Sequence, residues 1–261
     1  MKIIKTLLAS MSLVVISTAC LAQEEEEAPE WYTYASYYEC SGPLSVPDEA
    51  IAGDVDRLNG LVADGSIAGW GWLAHHTGGQ WSRLFVHQAD SLDGLLDGSD
   101  AIYPDDGEDA DDAADDSDDA DDSDDGPGFN SVCTRHDDYI WQRENGSSGE
   151  TRGAVSFGVY LICDNSKEDR ADEIVDEHVA PILNALVEEG ALTSWGWLSH
   201  IVGGKYRRLQ TMTATDHKSL LAARADAISA IYADDNEMGE ELNDICYSHV
   251  DYIWDIVHEY R

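Results

Sequence analysis

The sequence predicts an α+β protein in which one folding unit is laid down twice. Three observations carry this. First, Leu58-Asn59, Leu61-Val62, Gly65, Trp70-Gly71-Trp72-Leu73, His75, Gly78-Gly79 and Arg83-Leu84 all recur 125 residues later, as Leu183-Asn184 through Arg208-Leu209. Second, Cys40 recurs as Cys163, Cys133 as Cys246, and Asp138-Tyr139-Ile140-Trp141 as Asp251-Tyr252-Ile253-Trp254. Third, period-2 and period-3.6 patterns alternate within each copy as strand, helix, strand, strand, helix, strand.

Taken in order, Tyr34 to Cys40 and Val155 to Cys163 are aromatic and β-branched, and predict the first strands. Ile51, Val55, Leu58 and Val62 form a helical stripe that Val175, Val179, Leu183 and Leu186 repeat. Ser45 and Ser166 stand at N-cap positions, Gly65 and Gly190 at C-terminal ones. Two strands follow, turning at Gly78-Gly79 and Gly203-Gly204. The second helices span Ser91 to Ile102, weakened by Gly94 and Gly98, and Ser219 to Ile231. The last strands carry Tyr139-Ile140-Trp141 and Tyr252-Ile253-Trp254. This βαββαβ order predicts two ferredoxin-like domains, each a four-stranded antiparallel sheet with both helices on one face. In that arrangement the end of the first strand lies beside the start of the last. The expected disulfides are therefore Cys40–Cys133 and Cys163–Cys246, one per copy; free buried thiols are the alternative.

The expected organisation is a signal peptide at 1–22, an acidic leader at 23–30, the first repeat at 31–145, a linker at 146–152 and the second repeat at 153–261. Lys2 and Lys5 precede an apolar run from Ile3 to Ile16, too short to span a bilayer. Cleavage after Ala22 is favoured, with lipid attachment at Cys20 as the alternative; either way the chain is extracytoplasmic. Between the second helix and the last strand the offset falls from 129 to 113, so the first copy holds 16 more residues there. They lie in an Asp-rich stretch, 105–128, expected as a disordered loop because it offers almost no apolar surface. It has no glycine between Asp109 and Asp125 and no glutamate after Glu108, so it lacks the central glycine and closing glutamate of a calcium-binding loop. With 15 Lys and Arg against 53 Asp and Glu, the formal net charge is −38. Such a chain repels nucleic acid and anionic lipid.

The stretch Leu183 to Leu209, LNALVEEGALTSWGWLSHIVGGKYRRL, resembles the dimeric α/β-barrel superfamily, which includes antibiotic-biosynthesis monooxygenase-like and NIPSNAP-like domains. In that group two sheets pack into one barrel between subunits. The resemblance implies that one chain supplies both halves here, a monomer acting as a pseudo-dimer. It also implies two alternative activities: a cofactor-independent monooxygenase acting on a small aromatic substrate, or haem binding.

Strand alternation sorts the repeated residues onto faces. Trp70 and Trp72 share one face, and Gly71, Leu73 and His75 the other; Trp81, Arg83, Phe85 and His87 oppose Leu84 and Val86. Taking Leu84 and Val86 as helix-facing leaves Trp70, Trp72, Trp81, Arg83, Trp195, Trp197, Tyr206 and Arg208 to line the barrel interior. There they either pack sheet on sheet or wall a pocket for a small apolar or anionic ligand. His75 and His200 are weak catalytic candidates; His136 and His249 also match. No zinc signature, nucleophile elbow, phosphate loop or dinucleotide fingerprint occurs, and no metal or cofactor is expected. The leading expectation is a non-catalytic ligand-binding or interaction protein.

Overall fold

The computed structural model describes residues 30–104, 127–233 and 237–261. The expected signal peptide, Cys20 and nearly all of the acidic leader and Asp-rich loop lie outside them.

Eight strands form one closed antiparallel barrel in the order β1-β3-β2-β8-β5-β7-β6-β4. They are β1 (Tyr32–Cys40), β2 (Gly69–Thr77), β3 (Arg83–Ala89), β4 (Cys133–Ser148), β5 (Val155–Ile162), β6 (Ser194–Val202), β7 (Arg208–Ala214) and β8 (Ser248–Tyr260). Closure depends on the two long strands. The first part of β4 pairs with β1 and its last part with β6. Likewise β8 pairs first with β5 and then with β2. Each strand thus finds two neighbours and no sheet edge is left open.

Helices cover the outside. They are α1 (Ser45–Ala63), α2 (Leu92–Ile102), α3 (Phe129–Val132), α4 (Glu168–Ile174), α5 (Ala180–Glu188), α6 (His217–Ile231) and α7 (Glu237–Ile245). No helix among the described residues is long and apolar enough to cross a membrane. The expected stripe Val175, Val179 and Leu183 is buried. The helix carrying it is interrupted by a π turn at Val175–Val179, just before Pro181. Proline has no N–H to continue the ladder.

The disulfides Cys40–Cys133 and Cys163–Cys246 are formed as expected. They fit an oxidising compartment, and each stabilises the fold by about 2–4 kcal/mol. Several expectations are corrected. Ser45 lies inside α1, whose N-cap Leu44 makes no side-chain cap bond. In the second copy Asp164, not Ser166, is the cap: its side chain accepts from the Ser166 N–H. Gly146 to Ser148, expected as linker, extend β4 and pair with β6. They are ordered because barrel closure supplies a partner that a lone sheet lacks. The short α3 and the amphipathic α7, with Met238, Leu242 and Ile245 along one side, were not anticipated.

Gly78-Gly79 and Gly203-Gly204 do turn the hairpins, and the structure explains the residue choice. Gly78 and Gly203 have φ of 141° and 138°, which L side chains rarely adopt. A Cβ on Gly203 would lie 2.5 Å from the Tyr139 ring, and one on Gly78 2.6 Å from the Asp251 carbonyl. Each hairpin therefore sits on the last strand of the other repeat, Gly203-Gly204 against Tyr139 and Gly78-Gly79 against Tyr252.

Candidate functional site: the barrel cavity

The two faces of the sheet are the reverse of those expected. Trp70, Trp72, Arg83, Trp195, Trp197 and Arg208 point outward, to the helices. Trp70 Nε1 donates to Asn59 and Trp195 Nε1 to Asn184. Trp72 Nε1 donates to Asp48 at 2.9 Å and Trp197 Nε1 to Asp172 at 2.7 Å. Arg83 and Arg208 grip the same two carboxylates with paired bonds of 2.6–2.8 Å, and Arg208 also reaches Glu168. Burial alone would raise the Asp48 pKa, but the Arg83 and Trp72 bonds outweigh it and hold it below the ordinary value. The same balance, against Arg207 and Arg208, lowers that of Glu168. The repeated Trp-x-Trp and Arg motif is thus what docks the helices on the sheet. Large indoles suit that seam because each N–H finds a helix carboxylate or amide.

Of the expected interior set, Trp81 and Tyr206 do lie within the barrel, at its hairpin end. Trp81 stacks on Tyr37 at 4.3 Å and on Tyr252 at 4.9 Å, with Tyr206 edge-on at 6.0 Å. Tyr139 stacks on Trp141, and Tyr252 on Trp254, at 5.0 and 5.1 Å. His75 lies edge-on to Tyr252 and Trp254, and His200 to Tyr139 and Trp141. Burial lowers both histidine pKa values, with the Arg207 charge adding to the effect at His200. Together these rings plug one end of the barrel.

Above the plug is a cavity of about 420 Å³. Its lining repeats across the two copies: Tyr37 and Tyr160, Trp141 and Trp254, Leu73 and Leu198, Leu84 and Leu209, Gly71 and Gly196. The small Ala35 and Gly158 stand where larger side chains would fill the space. Burial raises the Tyr37 and Tyr160 pKa values and keeps both phenols protonated. The Trp141 and Trp254 indole N–H groups are buried beside the Tyr37 and Tyr160 phenols without a well-directed hydrogen bond. His75 and His200 do not border this cavity.

At the opposite end, where Trp31, Ser148, Glu259 and Arg261 border the cavity, the symmetry breaks. Arg143 on β4 stands where β8 has Ile256. Glu259 is engaged by Arg152 at 3.0 Å and Arg261 at 2.6 Å. Arg143 is half-buried and, among the described residues, has no carboxylate within ion-pair distance. Burial, then the charge of Arg261, lowers its pKa. Sequence reasoning missed it. The available signal was a cation on the Trp141 face of β4 with an isoleucine at the matching place in β8.

A second cavity, about 200 Å³, lies between β5–β8 and the helices of the second copy. It borders His249 but falls below the roughly 300 Å³ at which cofactor pockets begin. The larger cavity offers a haem iron no His, Cys or Met.

A closed antiparallel barrel of eight strands with helices packed outside is the architecture of the dimeric α/β-barrel superfamily. No protein-family model matches the chain, and no curated protein matches it. Among solved structures it is similar to an anthrone oxidase-like protein, with 12% identity, 90% of this chain and 94% of that chain covered, and a TM-score of 0.51. It is also similar to a provisionally assigned monooxygenase from Fusobacterium nucleatum subsp. nucleatum, with 6% identity, 90% and 95% coverage and a TM-score of 0.55. A counterpart from Lactobacillus acidophilus gives 5% identity, 88% and 95% coverage and a TM-score of 0.51. At these identities the likeness is one of fold.

Proposed function

We propose that this is an extracytoplasmic binding protein. Two fused copies, 31–145 and 153–261, enclose a small ligand with an apolar, preferably aromatic, body and an anionic head. The cavity carries this reading. Its wall of Leu, Tyr and Trp side chains suits a flat apolar body. Arg143 at its edge, without an ion-pair partner among the described residues, suits a carboxylate or sulfonate, and a charge-assisted bond to it contributes about 1.5–3 kcal/mol. In a chain of net charge −38 a half-buried arginine with no carboxylate among the described residues within ion-pair distance is an unusual arrangement. The signal peptide and release from the membrane belong to the same proposal.

The test is calorimetric titration of the full chain with 2-naphthoate, alongside Ala35→Phe. Ala35 is buried and borders the cavity, so a phenyl ring there takes up the ligand's volume. Binding by the parent and at least tenfold weaker binding by the variant are expected. Equal binding by both would place the ligand elsewhere and overturn the reading. Turnover of a phenolic substrate would instead favour the monooxygenase alternative, and a Soret band on adding haem the haem alternative.

A further inference from the structure

Outside the barrel, three metal-ligating side chains from separate parts of the chain meet at the seam between β2 and β8. His76 is on β2, Asp255 on β8, and His217 opens α6. His76 Nδ1 lies 3.2 Å from one Asp255 oxygen and His217 Nε2 2.9 Å from the other. The three donor atoms all fall within 4.8 Å of one another. The two imidazole rings lie with centroids 3.9 Å apart and planes tilted by 31°. His217 Nε2 is buried, and although close to the carboxylate it makes no well-directed hydrogen bond to it.

The internal repeat supplies a control within the same molecule. At the matching seam, between β6 and β4, the corresponding positions are Ile201, Leu92 and Gln142. Ile201 packs there beside Tyr32, Ala89 and Leu95. All three positions thus carry a ligating side chain at one seam, and none carries a strong metal ligand at the other. Helix docking and seam closure do not need the polar set, since the other seam closes without it.

We propose that His76, His217 and Asp255 bind a divalent transition metal of the borderline class, zinc above all, which clasps β2 of the first repeat to β8 and α6 of the second. Two imidazole nitrogens and one carboxylate oxygen are a donor set for that class and leave a position for water. Tetrahedral donors at about 2.1 Å from an ion stand about 3.4 Å apart, close to the spacing of these three, whose donor atoms lie within 4.8 Å of one another. The proposal is independent of the cavity. It departs from the expectation of no metal site, which considered His75-His76 as neighbours in sequence and not His76 with His217.

The test is zinc titration of the full chain in excess calcium, which occupies the acidic surface, with melting temperature as a second readout. The control is His76→Ile/His217→Leu/Asp255→Gln, which installs the residues of the other seam; His217→Leu alone, at the helix start, is the milder version. The parent is expected to take up one tight equivalent of zinc. Its melting temperature should rise by about 5–10 °C at zinc 100-fold above the dissociation constant. Both effects should vanish in both variants. No tight equivalent in the parent, or equal uptake by parent and variants, would overturn the proposal.

Discussion

His87 makes the energetics of the helix–sheet seam measurable. It is fully buried on β3, with Nε2 3.2 Å from the Leu95 carbonyl and 3.0 Å from Ser99 Oγ, and with Nδ1 unpartnered. Burial pushes its pKa down to about 4. Above pH 6.5 the ring is neutral in both folded and unfolded chains and contributes no pH dependence. Between pH 6.5 and 4 the unfolded chain takes up the proton and the folded one does not, so stability falls with falling pH. At 1.36 kcal/mol per unit, the loss reaches about 3 kcal/mol by pH 4. The second repeat has Met212 at this place, also buried, so His87→Met tests the idea with a residue of similar volume. Ser99 Oγ keeps its bond to the Leu95 carbonyl and is not stranded. Urea unfolding of parent and variant at pH 7.5 and 4.5 isolates the contribution, because the other acid-sensitive groups are common to both. The gap between the two proteins should shift by about 2–3 kcal/mol in favour of the variant at the lower pH. A gap unchanged with pH would refute the reasoning.

Other outcomes follow from the same contacts. Asp172→Ala strips Arg208 and Trp197 of their shared partner and should cost about 3 kcal/mol in urea unfolding, since a buried guanidinium is left half-paired. Because Asp48 and Glu168 have lowered pKa values, their contribution is present above about pH 4 and lost as pH falls through the folded values. In Asp48→Asn the acid limb of the stability curve should flatten. Gly204→Ala places a methyl group against the Tyr139 hydroxyl and should cost about 1–3 kcal/mol. Combined with Tyr139→Phe, part of that loss should return; strict additivity would argue against the contact.

The duplication, the element order and both disulfides were legible because each leaves a mark in the residues themselves. Which face of the strands looks inward was not. Alternation with period 2 separates two faces but does not say which is covered by helices. Here both are covered, so bulk and aromaticity do not discriminate. The distinguishing evidence lay on the helices: Asn59 and Asn184 recur at the same offset as Trp70 and Trp195, the indoles whose N–H groups they accept. The inward face instead carries Gly71, Gly196, Ala35 and Gly158, small residues that read as poor strand formers until a cavity explains them. The strand status of Gly146 to Ser148 was hidden for a related reason. Its cause is a partner in the other repeat, β6, more than forty positions away. Arg143 stood out only against Ile256, the residue at the matching place in β8, 113 positions on.

The most direct test of the central claim is a paired titration with 2-naphthoate and 2-naphthamide, two probes of nearly one shape that differ in charge. It should be run on the parent and on Arg143→Ile, the residue the other repeat already uses. The account predicts that the parent prefers the carboxylate by roughly 10–150-fold, the range of a charge-assisted hydrogen bond. In Arg143→Ile that preference should disappear while amide binding persists. A parent that binds neither probe would contradict the cavity as a ligand site, and an unchanged preference in Arg143→Ile would contradict the role given to Arg143.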